Sequence, residues 1–214
     1  TYIACSLVTA LRRDGVRVGV YKPVASGCIP HRDESASHVD DDLELYSEDA
    51  FQLWSAAGRP LDLQSVCPQR FSAAVAPVDA ARREGRSVNT DLLFSGIEPW
   101  REHCDWLVIE GAGGLMSPLA DRMLNIDFYR KLSDAELCLV APNRLGVIHD
   151  VLSADHAAAR WDVNVDRLYL SAASAEGDAS TATNRSQILE WLPGLAITEV
   201  GHGAELGKTS DRKS

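Results

Sequence analysis

Asp105-Trp-Leu-Val-Ile-Glu110-Gly-Ala-Gly-Gly114 is the stretch on which the reading of this chain turns. Trp106 to Ile109 are all apolar. They lack the apolar–polar alternation of a strand with one wet face, so they read as a strand covered on both sides. An acid, Glu110, follows at once, then Gly111, Gly113 and Gly114. A carboxylate directly after a buried strand is placed to hold Mg²⁺, itself or through water. Glycines let backbone N–H groups approach an oxyanion or a sugar. The same residues also suit a plain tight turn from strand to loop.

Working outward, residues 16–26 (VRVGVYKPVAS) form a second β-branched, mostly apolar run that passes from strand to loop. Residues 1–14 precede it as a helix, with Ile3, Leu7 and Leu11 on one stripe and Gly15 as the stop. Residues 29–42 are polar and acid-rich, a surface loop, and Leu43 to Ala57 reads as helix. A further helix is expected near 77–85. Beyond Gly114, a short helix at Ile126–Leu132 leads to a strand at Ala135–Ala141. A helix at Val147–Arg160 and a strand at Val165–Ala172 come next, then a helix at Thr183–Trp191 and a strand at Leu195–Val200. Apolar strands alternating with helices predict an α/β fold, a three-layer, doubly wound, mostly parallel sheet in a single domain. Ligands of such sheets bind beyond the carboxyl ends of the strands. Lys22, Ser26, Glu110 to Gly114, Asn143 and Arg144 gather at those ends.

Lys22 stands at the end of its strand, with Ser26 and Gly27 just beyond. A fixed ammonium there can neutralise a developing phosphate or carbamate charge; it is equally a surface lysine at a strand end. Asp40-Asp41-Asp42 could add a hard-oxygen ligand for Mg²⁺, or be a solvated loop. The histidines are scattered without metal-ligand spacing, and no GxSxG nucleophile motif occurs. Near the C-terminus, Gly207-Lys208-Thr209 invites a phosphate-loop reading. The strict pattern needs a glycine where His202 stands, and no helix can follow, so residues 203–214 are expected to be a flexible tail.

Composition narrows the partners. Of 214 residues, 45% are hydrophobic and 24% charged, an ordinary globular balance. Asp and Glu number 31 against 21 Lys and Arg, a formal charge of −10, which disfavours nucleic acid as a partner. No apolar run is long enough for a membrane helix. Five widely spaced cysteines without a CxxC point to reduced core thiols and a cytoplasmic protein.

Tyr21-Lys-Pro-Val-Ala-Ser-Gly27 and Glu110-Gly-Ala-Gly-Gly114, in this order, resemble the dethiobiotin synthase family, ATP-dependent ligases of the P-loop NTPase fold. Leu124-Asn-Ile-Asp127 and Arg144-Leu-Gly-Val-Ile148 extend the resemblance over most of the chain. It implies a reaction in which 7,8-diaminononanoate, CO₂ (or bicarbonate) and ATP give the ureido ring of dethiobiotin, a step of biotin synthesis. By the same resemblance Lys22 is the catalytic lysine. Ser26, Gly113 and Gly114 contact the diamine. Thr1, Asp41 (or Asp42, one residue on) and Glu110 hold Mg²⁺. Thr1, Asp41, Glu110, Gly111, Ala112, Gly113, Ala173 and Glu205 border the nucleotide. A homodimer is implied.

Three positions depart from the family pattern: Ala173 replaces an adenine-reading Asn, His149 an Asn, and Val78 a His. The resemblance also makes Thr1 the threonine that ends a Gly-Lys-Thr phosphate loop. The first strand and the rest of that loop would then precede the chain, and the chain as written is expected to bind ATP poorly. A catalytically impaired or non-enzymatic binding protein of the same fold is the alternative.

Overall fold

Ile3, Val8, Ala10 and Leu11 lie on one side of the first helix and are buried. This helix, α1 (Tyr2–Arg13), carries Arg12 and Arg13 in its last turn, where cations complement the helix dipole. Gly15 then takes a φ of +82°, which ends the helix without the penalty a side chain would bring. The computed structural model describes residues 1–30, 45–204 and 206–207. Asp41, Asp42 and Glu205, and residues 208–214 of the expected tail, lie outside the described residues.

The chain divides into two compact units, Thr1–Asn125 and Ile126–Ser214. In the first, β1 (Val18–Tyr21) pairs in parallel with β4 (Trp106–Ile109), Val18 opposite Trp106 and Tyr21 opposite Ile109. Every residue of β1 is buried, as its unbroken apolar run predicts, whereas β4 is not covered on both sides as expected: Trp106 is exposed and Leu107 to Ile109 are half-buried. Gly19 is there for packing. A Cβ at that position would stand 2.6 Å from the Trp100 ring and 2.8 Å from Cys104 Sγ. Between these strands lie the short antiparallel pair β2 (Ile29–Pro30) and β3 (Leu45–Tyr46), then α2 (Glu48–Ala56), α3 (Leu63–Val66), α4 (Pro77–Arg83), α5 (Thr90–Ser95) and a 3-10 turn at Glu98–Trp100. The hairpin of β5 (Pro118–Ala120) and β6 (Met123–Leu124) closes the unit. Val8, Leu11, Val20, Leu53, Val66 and Trp100 are central to its core.

The second unit opens with most of α6 (Asn125–Tyr129). Strands β7 (Cys138–Asn143), β8 (Arg167–Ala172) and β9 (Ala196–Val200) form a parallel sheet in the order β7-β8-β9. Its connections are α7 (Val147–Arg160) and α8 (Asn184–Trp191). Ala141, Val147, Val151, Leu168, Leu170 and Ile188 make its core.

Several expected elements come out a residue or more shorter, and two come out much shorter. The strand expected over 16–26 keeps its ladder only to Tyr21. From Lys22 onward the backbone turns to residues 66–73. Lys22 N donates to Val66 O at 2.8 Å, Ala25 N to Gln69 O at 2.9 Å and Cys28 N to Phe71 O at 3.0 Å. Pro23, with no N–H to give, sits at the switch. The helix expected over 43–57 starts only at Glu48, because the Ser47 hydroxyl accepts from Ala50 N and caps it there.

Candidate functional site

Lys22 leaves the end of β1 with its side chain 6% exposed. The strand registers put Glu110 beside it, since Tyr21 pairs with Ile109 and Glu110 N donates to Tyr21 O at 2.9 Å. Lys22 Nζ donates to Glu110 Oε1 at 2.7 Å and reaches Gly111 O at 3.5 Å. It also stands 3.5 Å from Asp49 Oδ2. Burial by itself would lower the Lys22 pKa. The Glu110 charge and hydrogen bond, with the Asp49 charge, outweigh it and push the pKa up. Lys22 is therefore a fixed ammonium, not a base.

Thr1 completes the cluster from the start of α1. Its Oγ1 lies 2.6 Å from Asp49 Oδ1 and 2.8 Å from Glu110 Oε1. A hydroxyl carries one proton, so it can donate to only one of these carboxylates at a time. The other contact is an approach of two oxygen lone pairs, which a cation between them would relieve. Glu110 Oε2 is buried without a hydrogen bond, 3.4 Å from Thr1 N. Burial raises the Asp49 pKa, but the hydrogen bond from the Thr1 hydroxyl and the charge and hydrogen bond of Lys22 outweigh it and hold the carboxyl below its usual range. Two carboxylates and a hydroxyl are hard oxygen donors of the kind Mg²⁺ takes, and Mg²⁺ commonly uses one or two protein carboxylates and leaves its remaining positions to water and phosphate. Among the described residues no group of three or more His, Cys, Asp or Glu side chains stands ready to hold a metal.

Of the expected residues, then, the structure brings Thr1, Lys22 and Glu110 together. Asp49 takes a place beside them that the sequence reading had not foreseen. It is the second residue of α2, and the only local signal is the Ser47-Glu-Asp helix start. Arg70, buried at 8% exposure, donates to Leu45 O at 2.7 Å and bonds Gln64, pinning the chain two residues ahead of that cap.

Ser26 is half-buried, and its hydroxyl donates to Val75 O at 2.6 Å. Its proton is thus committed, and its lone pairs remain for a donor such as an ammonium. Gly111, Ala112, Gly113 and Gly114 follow Glu110 as a loop, with Gly113 at a φ of +77°. Gly114 turns both backbone groups inward: its N–H donates to Ser117 Oγ at 3.0 Å and its carbonyl accepts from Asn125 at 2.9 Å. Ala173, in the second unit, is exposed just past β8.

A family described as an AAA domain matches residues 1–191. The ATP-dependent dethiobiotin synthetase BioD of Rhodopirellula baltica is 43% identical over 200 residues, covering 89% of this chain and 75% of the relative. The protein of that name from Phenylobacterium zucineum is 32% identical over 212 residues, covering 95% and 85%. That of Caulobacter sp. strain K31 is 32% identical over 214 residues, covering 99% and 87%.

Proposed function

The chain belongs to the dethiobiotin synthetase family, and from that premise we propose that it is the ATP-dependent ligase that closes the ureido ring of dethiobiotin from 7,8-diaminononanoate and CO₂. The observation that carries this is the ammonium of Lys22 held 2.7 Å from Glu110 at the ends of two parallel strands, the buried β1 and the half-buried β4. An amine of the diamine adds to CO₂ and loses a proton, giving a carbamate. A carbamate oxygen attacks the γ-phosphorus of ATP, ADP leaves, and a carbamic–phosphoric anhydride forms. The second amine then attacks the carbonyl carbon, phosphate leaves, and the ring closes.

Each step gathers anionic oxygen in one place, so positioning and charge neutralisation dominate the protein's task. Lys22 suits the space between carbamate and γ-phosphate because it stays protonated and cannot swing freely from Glu110. Ser26 Oγ accepts from the substrate ammonium. Gly113 N–H faces an anionic oxygen, while Gly111 and Ala112 let the nucleotide approach. Mg²⁺ suits Thr1, Asp49 and Glu110, directly or through water. Asp49 takes the part expected of Asp41, on the strength of its contact with Thr1. When bound, the ion neutralises phosphate charge. Ala173 and Glu205 remain candidates for the nucleotide's border.

The finer architecture, one P-loop-type domain with a three-layer doubly wound sheet, is supported by the family match and the parallel pairings in both units. A cytoplasmic homodimer fits the free thiols and the resemblance. Among the described residues no helix is long and apolar enough to cross a membrane.

Phosphate release by the full-length protein, with and without diaminononanoate and bicarbonate, tests the reading. Release that requires both supports it. Release that ignores the diamine replaces it with a plain ATPase, and no release with a retained nucleotide supports a binding protein.

A further inference from the structure

Asn125 is 9% exposed, and its carboxamide is spent on the loop that follows Glu110. Nδ2 lies 2.9 Å from Ala112 O, 2.9 Å from Gly114 O and 3.2 Å from Ser117 O. Its Oδ1 accepts from Ala112 N at 3.3 Å. The side chain therefore pairs with both polar groups of Ala112, as a neighbouring strand would. The seat is tight, since a Cβ on Gly111 would stand 2.5 Å from Asn125 Oδ1.

Peptide planarity turns this clamp into a statement about donors. In a trans peptide the C=O of one residue and the N–H of the next point in opposite directions. Gly111 O points toward Lys22 Nζ at 3.5 Å, and the N–H of the same peptide, on Ala112, points to Asn125. Lys22 and Asn125 thus stand on opposite sides of the loop. The next carbonyl, Ala112 O, is turned onto Asn125. Its peptide partner, Gly113 N–H, must then point away from Asn125, to the side of the loop that Gly111 O shares with Lys22. The φ of +77° at Gly113 allows the turn.

We propose that Asn125 is a positioning residue that holds the 112–113 peptide with Gly113 N–H on the Lys22 side of the loop, so that amide and ammonium together bind one anionic oxygen. The role assigned to that oxygen rests on the ligase reading; the orientation of the peptide does not. Without the carboxamide, Ala112 O, Gly114 O and Ser117 O lose a common donor, and the peptide is free to flip and present a carbonyl where the amide stood. A carbonyl repels the charge that the amide would stabilise.

Asn125→Asp keeps the shape and turns donors into acceptors; Asn125→Ala removes the clamp without adding charge. In the full-length protein both should lower kcat about 10²-fold, the loss typical of one oxyanion donor, with the KM for ATP within about threefold of wild type. The second readout is independent of turnover: in ¹⁵N-labelled protein, inorganic phosphate should move the Gly113 amide proton downfield in wild type and not in either folded variant. A wild-type Gly113 amide that ignores phosphate, or a variant that keeps the response, overturns the proposal. So does a loss of kcat matched by an equal rise in the KM for ATP and a fallen melting temperature. If wild type makes no dethiobiotin, the ligase reading falls, and the phosphate response still decides the role of Asn125.

Discussion

Replacing Lys22 with methionine probes the site's electrostatics directly. The Lys22–Glu110 pair spans 2.7 Å, with side chains 6% and 17% exposed. At an effective dielectric of 20 their attraction is about 6 kcal/mol, much of it offset by the cost of withdrawing both charges from water. Breaking such a pair from one side costs about 3–5 kcal/mol when the remaining charge is fully buried. Glu110 keeps the Thr1 hydroxyl at 2.8 Å, so Lys22→Met is expected at about 3 kcal/mol. Glu110→Gln should cost less, about 2 kcal/mol, because Lys22 retains half-exposed Asp49 at 3.5 Å. The double variant leaves neither charge stranded, and the cycle should return a coupling energy of about 1–3 kcal/mol. The assay is urea unfolding in EDTA, so that no divalent ion stands in for the ammonium, with the slope m unchanged across the set. A coupling below about 0.5 kcal/mol would refute the reasoning, because the two charges would then be acting independently.

Other outcomes follow from the same geometry. Asp49→Asn should raise the Mg²⁺ concentration needed for half-maximal activity on the order of tenfold, the loss of one charge-assisted contact of about 1.5 kcal/mol. Its neighbour variant Glu48→Gln should not, and equal effects would remove Asp49 from the site. Gly111→Ala drives a methyl to 2.5 Å from Asn125 Oδ1 and should destabilise by about 1–3 kcal/mol, read as a fall in the unfolding midpoint. Asp178 is held at a pKa of about 2 by the Ser180 hydroxyl and the N–H groups of Leu145 and Ser180. Its folded pKa lies below the unfolded value of about 3.9, so its contribution is complete above that value and is lost as pH falls toward 2. Stability should therefore decline less between pH 5 and pH 2 in Asp178→Asn than in wild type, which unfolding midpoints across that window (about one pH unit apart) would show.

Much of this is legible in the residue order. The unbroken apolar runs before Lys22 and Glu110 announce parallel strands, and β1 and β4 are paired in parallel, but only β1 is fully buried, with Trp106 of β4 41% exposed. The helix expected at Val147–Arg160 has those bounds, with Val147, Val151 and Ala158 buried along one face between the caps Gly146 and Trp161. What local pattern misses is set by long-range contact. Asp49 reaches Thr1 across 48 positions, and Lys22 reaches Glu110 across 88. The second meeting is announced because each residue ends a recognisable strand. The first is not, because an acid in a helix's first turn is explained by the helix dipole alone. Asp41 drew attention through the acidic run around it and lies outside the described residues. Asn125 lies in the Leu124–Asp127 segment that carries part of the resemblance, but nothing local in that segment shows what its carboxamide holds. Its value lies in three carbonyls that only the folded loop brings to it.

The origin of the new carbonyl carbon tests the central claim most directly. The full-length protein is incubated with ATP, Mg²⁺, 7,8-diaminononanoate and ¹³C-bicarbonate, and the product is read by mass spectrometry beside the phosphate released. The account predicts dethiobiotin carrying one ¹³C in its ureido carbonyl, one phosphate per ring closed, and neither product from Lys22→Met. Phosphate released without labelled dethiobiotin, or a ring closed by the Lys22→Met variant at the wild-type rate, would contradict it.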